Sequence, residues 1–202
     1  MKIAYKNMDQ NELPNGYFTD GDIEVYRRII SSLEAGSTII EIGVWNGRSI
    51  CSIADLINKK SINSICIDHF KGTLTVRGLH FYDENIDAQK SFEANVKRFN
   101  INPKLLVGKS LDMVNLIPDN SVDCILIDAD HSREAASADI KAFLPKIKKN
   151  GIMCGHDYVR KHKGVIKAVN ATGFEFELFP GSSLWSTKNF IGSGHPPLKQ
   201  KA

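Results

Sequence analysis

Apolar residues follow two different spacings along the chain, and the two spacings alternate. Helical spacing, in which apolar residues recur every three or four positions, is first seen at Ile23, Tyr26, Ile30 and Leu33. The same spacing predicts further helices over residues 50–57, 88–99, 111–116, 136–147 and 165–169. Asn46-Gly47 is typical of the turn that opens the second of these helices, so we expect that helix to begin there.

Between the predicted helices lie short runs that are apolar throughout and rich in β-branched residues. Such runs are typical of strands buried on both faces of a parallel sheet, and they occupy residues 37–42, 62–67, 104–107, 122–127 and 151–155. Residues 174–178 instead alternate strictly between apolar and polar, and we expect them to pair with residues 184–189 as an antiparallel hairpin. The stretch from 69 to about 84 has no clear period and is predicted to be a loop.

Strands that alternate with helices predict an α/β fold. We expect a Rossmann-like, doubly wound and mostly parallel seven-stranded sheet, with an antiparallel C-terminal strand pair and helices on both faces. A single domain is expected over residues 1–191, of which 1–36 form an N-terminal helical extension. Residues 192–202 hold two prolines, glycines and lysines, and are predicted to be a disordered tail.

The charge is small and evenly spread, which bears on the partners. The net charge is +3 in 202 residues, and the lysines form no concentrated basic patch. We therefore expect neither nucleic acid nor a membrane surface as a partner. The short basic run at 146–149 is interpreted as the solvated end of a helix, where cations suit the helix dipole.

The cysteines and the apolar runs bear on the cellular compartment. None of Cys51, Cys66, Cys124 and Cys154 forms a C-x-x-C pair, and three of them lie in apolar runs, so we expect small buried residues rather than disulfides. No run is long enough to cross a bilayer, and the first 14 residues lack the apolar stretch of a signal peptide. These features predict a cytoplasmic protein.

Polar or glycine-rich groups follow five successive predicted strands. They are Glu41 with Gly43 and Gly47, then Asp68-His69, residues 108–110, residues 128–131 and residues 155–158. In open α/β sheets, ligands bind outside the carboxyl ends of the strands. The sequence therefore predicts a binding site along this edge of the sheet.

The first of these groups, E-x-G-x-x-x-G at residues 41–47, differs from the G-x-G-x-x-G of dinucleotide sites, in which glycine lies against a pyrophosphate. S-adenosylmethionine has no phosphate, and its methionine ammonium needs an acceptor, which Glu41 can supply directly or through water. Gly43 and Gly47 let the backbone turn closely past the ligand. Asp68 is placed to accept hydrogen bonds from the ribose hydroxyls. For the two glycines alone, a tight turn is the alternative explanation.

Three segments resemble the class I S-adenosylmethionine-dependent methyltransferase superfamily: G-V-W-N-G-R-S at 43–49, I-D-A-D-H-S at 127–132 and G-H-D-Y at 155–158. The resemblance covers residues 37–189. It is greatest to a bacterial group of small methyltransferase-like proteins related to O-methyltransferases that act on sugars and catechol-like hydroxyls.

The resemblance implies roles for residues near the second half of the sheet. Asp128, His156 and Asp157 take the places of metal ligands in metal-dependent O-methyltransferases, and Asp128 also borders the cofactor. His156 stands where an oxygen ligand is expected, which suits a borderline divalent metal better than Mg²⁺, and the set equally fits a site with no metal. His131 takes the place of a catalytic base, and a helix dipole at that position would keep it neutral. An exposed residue without a role remains the alternative for His131.

The remaining residues of this edge have alternative roles. Trp45 packs along the cofactor or fills space under its loop, and Ser110 touches the adenine or caps a helix. Ser49 and His69 complete the predicted cofactor set, although a surface position suits His69 equally. Asp130 is interpreted as the N-cap of the next helix.

The loop at residues 71–82, with Arg77, His80 and Tyr82, is the expected acceptor-recognition segment.

The function that these patterns favour is O-methylation of a small hydroxylated acceptor, such as a sugar, by a protein that could form a homo-oligomer. Two other classes remain open. A metal-dependent glycosyltransferase would use Asp128-Ala129-Asp130 as a D-x-D motif, but it leaves residues 41–47 unexplained. A non-catalytic module would bind the cofactor without turnover.

Overall fold

The computed structural model describes residues 13–72 and 87–187. Within these ranges, seven strands form one sheet, in the order β3-β2-β1-β4-β5-β7-β6. The strands are Thr38–Ile42 (β1), Asn63–Asp68 (β2), Lys104–Val107 (β3), Val122–Ile127 (β4), Ile147–Gly155 (β5), Phe176–Leu178 (β6) and Trp185–Thr187 (β7). Strands β1 to β5 are parallel, and β7 runs antiparallel to both β5 and β6. The predicted sheet is confirmed, including its antiparallel C-terminal pair.

Helices cover both faces of this sheet. They are Asp20–Ser32 (α1), Arg48–Cys51 (α2), Ala54–Lys60 (α3), Ala88–Arg98 (α4), Ser110–Met113 (α5), Arg133–Phe143 (α6) and Lys163–Ala171 (α7). Buried residues of α1 to α4 pack in one apolar cluster, and those of α6 and α7 pack in the other. The doubly wound arrangement follows, because each face of the sheet is closed by its own helical layer.

The alternation along β1 shows how the sequence divides the two layers. Ile39 lies in the cluster beneath α1, whereas Ile40 and Ile42 lie in the cluster beneath α6 and α7. All three side chains are at most 1% exposed, as expected of a central parallel strand. Glu41 shares the orientation of Ile39, so its carboxyl points into the core under α1.

The carboxyl ends of the strands are tied together by backbone hydrogen bonds. The Gly43 N–H donates to the Ile67 carbonyl, and the Asp128 N–H donates to the Ile42 carbonyl, each over 2.8 Å. The His156 N–H donates to the Ile127 carbonyl over 3.0 Å. The strand order reverses between β1 and β4, so the crevice expected at such a switch point lies where the loops after these two strands meet.

Three elements differ in detail from their predictions. The second predicted helix is broken into α2 and α3. The predicted helix over 136–147 ends at Phe143, because Pro145 lies in a 3₁₀ turn, and β5 begins at Ile147 rather than at 151. The basic run 146–149 therefore lies on that turn and on β5, not at a helix end. There Lys146 pairs with Asp119, and Lys148 pairs with Asp123.

The first helix is part of the core rather than an appendage. Tyr26 and Ile30 of α1 are fully buried against the sheet. Its start is fixed by a capping box, in which the Thr19 hydroxyl accepts from the Asp22 N–H and the Asp22 carboxylate accepts from the Thr19 N–H. This box matters below, because it places Asp22 under the candidate site.

The remaining predictions concern membrane spans, the cysteines, the C-terminal tail and the recognition loop. Among residues 13–72 and 87–187, no helix is long and apolar enough to span a membrane. All four cysteines lie in these ranges and are buried free thiols, as predicted. The predicted tail at 192–202 and the recognition residues Arg77, His80 and Tyr82 lie outside the described residues.

Candidate active site

Asp128, His156 and Asp157 converge at the ends of β4 and β5. The Nδ1 atom of His156 lies 3.3 Å from Asp128 Oδ1 and 3.5 Å from Asp157 Oδ2. Asp157 adopts φ +61°, a left-handed conformation that aspartate tolerates better than most residues. The three residues predicted as metal ligands therefore offer three donor atoms around one point.

Asp22, from the first turn of α1, holds the other side of His156. Its Oδ2 atom lies 3.2 Å from His156 Nε2, and the carboxylate is fully buried. Oδ2 also accepts from Thr19, and Oδ1 accepts from the Ser182 hydroxyl and the Ser183 N–H, each over 2.7 Å. The imidazole of His156 thus bridges a buried carboxylate on one side and the two carboxylates of the strand ends on the other.

The charges in this cluster follow from its contacts. Burial alone would lower the pKa of His156, but Asp128, Asp157 and Asp22 outweigh it and raise that pKa to about 12. Burial would likewise raise the pKa of Asp22 and of Asp157, yet the hydrogen bonds from the histidines and from Thr19 hold both pKa values well below the usual range. His156 is therefore an imidazolium at neutral pH, compensated by carboxylates.

His131 joins the same cluster from the loop before α6. Its Nε2 atom lies 2.9 Å from Asp157 Oδ2 and 3.8 Å from Asp128 Oδ1. The predicted reason for a neutral His131 is wrong, since Ser132 caps the helix and His131 lies outside it. Burial acts to lower the pKa of His131, but Asp128 and Asp157 raise it to about 9. The imidazole is protonated at neutral pH.

The predicted cap of α6 is also corrected. The Ser132 hydroxyl, not the Asp130 carboxylate, accepts from the backbone of the first turn, namely from the Ala135 N–H. Asp130 instead accepts from the Ser132 N–H over 2.7 Å, which shapes the loop just before the cap. Its carboxylate is thereby engaged with the local backbone.

On the other half of the sheet edge, Glu41 is fully buried. Its Oε1 atom accepts a hydrogen bond from the Ser49 hydroxyl, and the buried Oε2 atom has no hydrogen-bond partner among the residues that the structure describes. Burial raises the pKa of Glu41 to about 8 despite that hydrogen bond. The carboxyl is therefore mostly neutral at pH 7, and it keeps one acceptor atom free for a polar group that reaches it.

The two glycines of this loop have reasons within the protein itself. Gly43 has φ +85°, and a Cβ there would lie 2.1 Å from the carbonyl oxygen of Asp128. Gly47 has φ +80°, and a Cβ there would lie 3.1 Å from the ring of Phe92. Gly43 thus permits direct backbone contact between the loop after β1 and the loop after β4, rather than only a close approach to a ligand.

Asp68 binds the loop that the sequence assigns to the cofactor. Its Oδ2 atom accepts from the Trp45 N–H over 2.9 Å, and its Oδ1 atom accepts from the Phe70 N–H over 2.7 Å. Each oxygen keeps a second acceptor position, as a ribose diol would use. The Trp45 ring stacks on Tyr17, with centroids 5.5 Å apart, so it packs against the N-terminal segment.

Two predicted cofactor residues have partners of their own. The Ser110 hydroxyl donates to Asp139 of α6 over 2.5 Å, while Lys109, not Ser110, occupies the N-cap of α5. His69 Nδ1 accepts from the Lys71 N–H over 3.0 Å, a local turn contact. Neither residue contacts the Asp128 cluster in the described part of the chain, so the predicted set divides into two groups along the edge.

The sequence patterns do not identify two residues of this cluster, Asp22 and His162. Asp22 lies in the segment that the sequence predicts to be an N-terminal extension, although the T-x-x-D spacing at residues 19–22 indicates a capping box that fixes the aspartate side chain. His162, just before α7, lies 3.6 Å from Asp157 Oδ1 through its Nε2 atom. Only the run K-H-K-G at 161–164 marked it, and that run resembles a solvated loop.

Comparison with known proteins places this architecture. Residues 40–158 match a protein family described as a methyltransferase domain. That segment runs from β1 to just past β5 and contains both groups of candidate site residues apart from Asp22 and His162. No curated protein sequence matched the chain.

Solved structures share the fold at low sequence identity. A Corynebacterium glutamicum protein is 14% identical, with a TM-score of 0.64 over 91% of this chain and 86% of its own. Cofactor-bound Rv0187 from MTB is 15% identical, with a TM-score of 0.64 over 88% and 84%. CalS11, a calicheamicin methyltransferase, is 15% identical, with a TM-score of 0.61 over 82% and 76%. At these identities the similarity establishes the fold alone.

Proposed function

The chain belongs to the methyltransferase domain family and is an S-adenosylmethionine-dependent methyltransferase, and from this premise we propose that it methylates a hydroxyl oxygen of a small acceptor such as a sugar. The observation that carries the proposal is the cluster of Asp128, His131, His156 and Asp157 at the switch point of the sheet. Such a cluster suits an acceptor whose proton must be removed during transfer. The D-x-D glycosyltransferase interpretation is set aside by the family match.

The cofactor side of the crevice supports the premise. S-adenosylmethionine supplies an electrophilic methyl group on its sulfonium. Asp68 keeps acceptor positions for the ribose, and the unpartnered Glu41 Oε2 is an acceptor for the ammonium once that atom becomes accessible. An ammonium near Glu41 would lower its pKa, so we expect cofactor binding between about pH 5 and pH 8 to release a proton.

On the acceptor side, His131 is the proposed base and Asp128 its partner. Because the two carboxylates raise the pKa of His131 to about 9, the imidazole can accept a proton only in its deprotonated minority at neutral pH. Asp128 and Asp157 then stabilise the imidazolium that forms. The acceptor proton therefore goes to the His131 imidazole, whose Nε2 atom faces both carboxylates.

We also propose a divalent cation at Asp128, His156 and Asp157. His156 Nδ1 lies 3.3 Å from Asp128 Oδ1 and 3.5 Å from Asp157 Oδ2, close to the roughly 3 Å that bonds of 2.0–2.2 Å to one ion imply. A bound cation would lower the pKa of a coordinated hydroxyl. Because His156 is protonated without it, binding must release a proton, and Asp22, which contacts the other ring nitrogen, would orient the imidazole.

The proposal extends to partners and compartment. The crevice offers polar groups rather than a basic surface, which suits a small acceptor and not a nucleic acid. Four buried free thiols suit a reducing compartment, and we propose a cytoplasmic location.

The test is a pH–rate profile of methyl transfer to a panel of sugars and catechols, measured with and without a chelator. For the wild type, we expect the rate to rise with pH and level off near pH 9, because deprotonated His131 is the active form. His131→Gln should lose this dependence and about 100-fold in turnover, with S-adenosylmethionine affinity nearly unchanged. A variant profile that matches the wild type in shape and height would overturn the base assignment, and transfer only to nitrogen or carbon acceptors would overturn O-methylation.

A further inference from the structure

A second group of donor atoms adjoins the Asp128 cluster, and one of its members, His162, has no role in the proposed reaction. It consists of His131, Asp157 and His162, whose nearest donor atoms all lie within 4.8 Å of one another. His131 Nε2 lies 2.9 Å from Asp157 Oδ2, and His162 Nε2 lies 3.6 Å from Asp157 Oδ1. The two imidazole rings are 4.3 Å apart between centroids. Asp157 thus uses one oxygen toward each histidine.

The backbone brings these histidines together in a definite way. Gly164, at the start of α7, packs against the loop before α6, and a Cβ there would lie 2.2 Å from the His131 carbonyl oxygen. His162 precedes that glycine by two residues, so the close approach of the two chain segments sets its ring against His131. The pairing therefore comes from main-chain packing between two helix starts and not from chance contact of mobile side chains.

One ring nitrogen of this histidine pair is not hydrogen-bonded within the described residues. Among residues 13–72 and 87–187, the buried His131 Nε2 atom has no hydrogen-bond partner, although Asp157 Oδ2 lies 2.9 Å from it. His162 Nε2 lies 3.6 Å from the other oxygen of the same carboxylate. A cation that coordinates both nitrogens and one carboxylate oxygen would satisfy the three groups together.

We propose that His131, Asp157 and His162 form a binding site for a borderline divalent cation of the Zn²⁺ type. Two imidazole nitrogens and one carboxylate oxygen are the ligands such ions prefer, and they leave a fourth tetrahedral position open to water. Bonds of about 2.0–2.1 Å would place tetrahedral ligands about 3.3 Å apart, and the three donor atoms, which all lie within 4.8 Å of one another, are near enough to approach that spacing. The site differs from the Asp128–His156–Asp157 set in two of three ligands.

Occupancy has a consequence for the reaction. A cation at this site takes the Nε2 lone pair of His131, so the imidazole can no longer accept a proton from the acceptor hydroxyl. Zinc is therefore an inhibitor of methyl transfer that acts through His162, a residue outside the proposed machinery. This consequence rests on the proposed base role of His131, whereas cation binding itself does not.

Zinc binding is measured without S-adenosylmethionine or acceptor, by competition with a chromogenic zinc indicator and by the visible absorption of the Co²⁺ form. His162→Ala should weaken zinc binding by at least about tenfold and remove the absorption of tetrahedral Co²⁺, while the melting temperature stays within error. His69→Ala is the matched control, since that histidine also follows a strand but lies outside the site, and it should bind zinc like the wild type. Asp128→Asn removes a ligand from the other set only and should keep the binding that depends on His162.

Wild-type protein that binds no zinc would overturn the proposal, as would a His162→Ala variant with unchanged affinity. Loss of zinc binding in Asp128→Asn but not in His162→Ala would place the ion at the other set and also refute it. In the activity assay, His162→Ala should keep its basal rate and resist zinc concentrations that inhibit the wild type. Failure of methyl transfer with every acceptor would contradict the proposed function and leave the binding result intact.

Discussion

The two halves of the sheet edge shift the pKa of a buried carboxyl group in opposite directions. At the end of β1, Glu41 is buried with one serine hydroxyl as its partner, and its pKa rises to about 8. At the end of β5, Asp157 is surrounded by His131, His156 and His162, and the pKa of its carboxyl falls well below the usual range. The Glu41 carboxyl of the first half is mostly neutral at pH 7. The second half is a dense set of charges that compensate one another.

The difference shows how one fold can serve two tasks at one edge. A neutral, backbone-shaped loop suits a cofactor that must be gripped mainly by fit and by a few hydrogen bonds. A charged cluster suits the step in which a proton moves. The two halves meet where Gly43 packs on the Asp128 backbone, so the contact that joins them contains no side chain on the glycine side.

The largest expected effect is on the charged half. Asp128→Asn keeps the size of the side chain but removes the charge that faces His131 and His156. We expect turnover to fall by about 10²–10⁴-fold, because proton removal loses its partner, while S-adenosylmethionine affinity changes far less. Steady-state methyl transfer and calorimetric titration measure the two quantities separately.

Asp130→Asn is the control for this variant. Its carboxylate accepts from the nearby Ser132 backbone, away from His131 and His156, and we expect nearly wild-type turnover. Equal losses in both aspartate variants would contradict the assigned roles and would fit a shared D-x-D function better.

The next effect is on the stability of the charged half. Asp22→Asn removes one carboxylate from a fully buried ion pair with His156 and leaves the imidazolium less compensated. Removal of one partner from a buried pair costs about 3–5 kcal/mol in the free energy of unfolding. Urea denaturation checks this value against Asp112→Asn, whose side chain is exposed in the first turn of α5 and should change stability by less than about 0.5 kcal/mol. A matching small change in both variants would show that Asp22 does not support His156.

Asp22 also marks the limit of what the sequence predicts. Strand runs such as 122–127 and helical runs such as 88–99 predict the sheet and its layers, because periodicity reports burial directly. The ends of the predicted strands place Asp128, His156 and Asp157 at one edge of the sheet. Their proximity could therefore be predicted. Asp22 is 134 positions from His156 along the chain, and no local pattern records a contact between a helix start and a distant strand end.

The protonation state of His131 could not be predicted from the sequence, for a related reason. His131 was expected to be neutral from its position before a helix, an argument that uses one element only. Its pKa instead depends on Asp128 and on Asp157, which arrive from two different strands. Likewise, the glycine at 43 was visible in the sequence, but the carbonyl oxygen that requires it belongs to the loop after β4.

A smaller effect tests the contact between the two halves. Gly43→Ala and Gly36→Ala both place a side chain at positive φ, +85° and +78°, but a Cβ at Gly36 has nothing within 4 Å. We expect Gly36→Ala to cost about 1–2 kcal/mol in the free energy of unfolding and Gly43→Ala about 1–3 kcal/mol more, because its Cβ must displace the Asp128 backbone. Denaturation gives both values, and Gly43→Ala should also lower turnover. Equal costs for the two variants would mean that the halves are not coupled at this point.

The most gradual of the expected effects concerns the Glu41 carboxyl and depends on pH. Because Glu41 has a folded pKa of about 8 and an unfolded value near 4.5, the folded protein binds the extra proton between these values. The contribution to stability is therefore fully present below about pH 4.5 and is lost as the pH rises to about 8, with a slope of at most about 1.4 kcal/mol per pH unit. Glu41→Gln cannot titrate and keeps an acceptor for the Ser49 hydroxyl, so its stability should fall less steeply over this range and exceed that of the wild type at pH 8.

Denaturation at intervals from pH 5 to pH 8.5 measures the slopes, and Glu177→Gln, at an exposed position of β6, is the control. Parallel curves for the wild type and Glu41→Gln would mean that the carboxyl is ionised in the folded protein, and the contrast between the two halves of the edge would then rest on geometry alone.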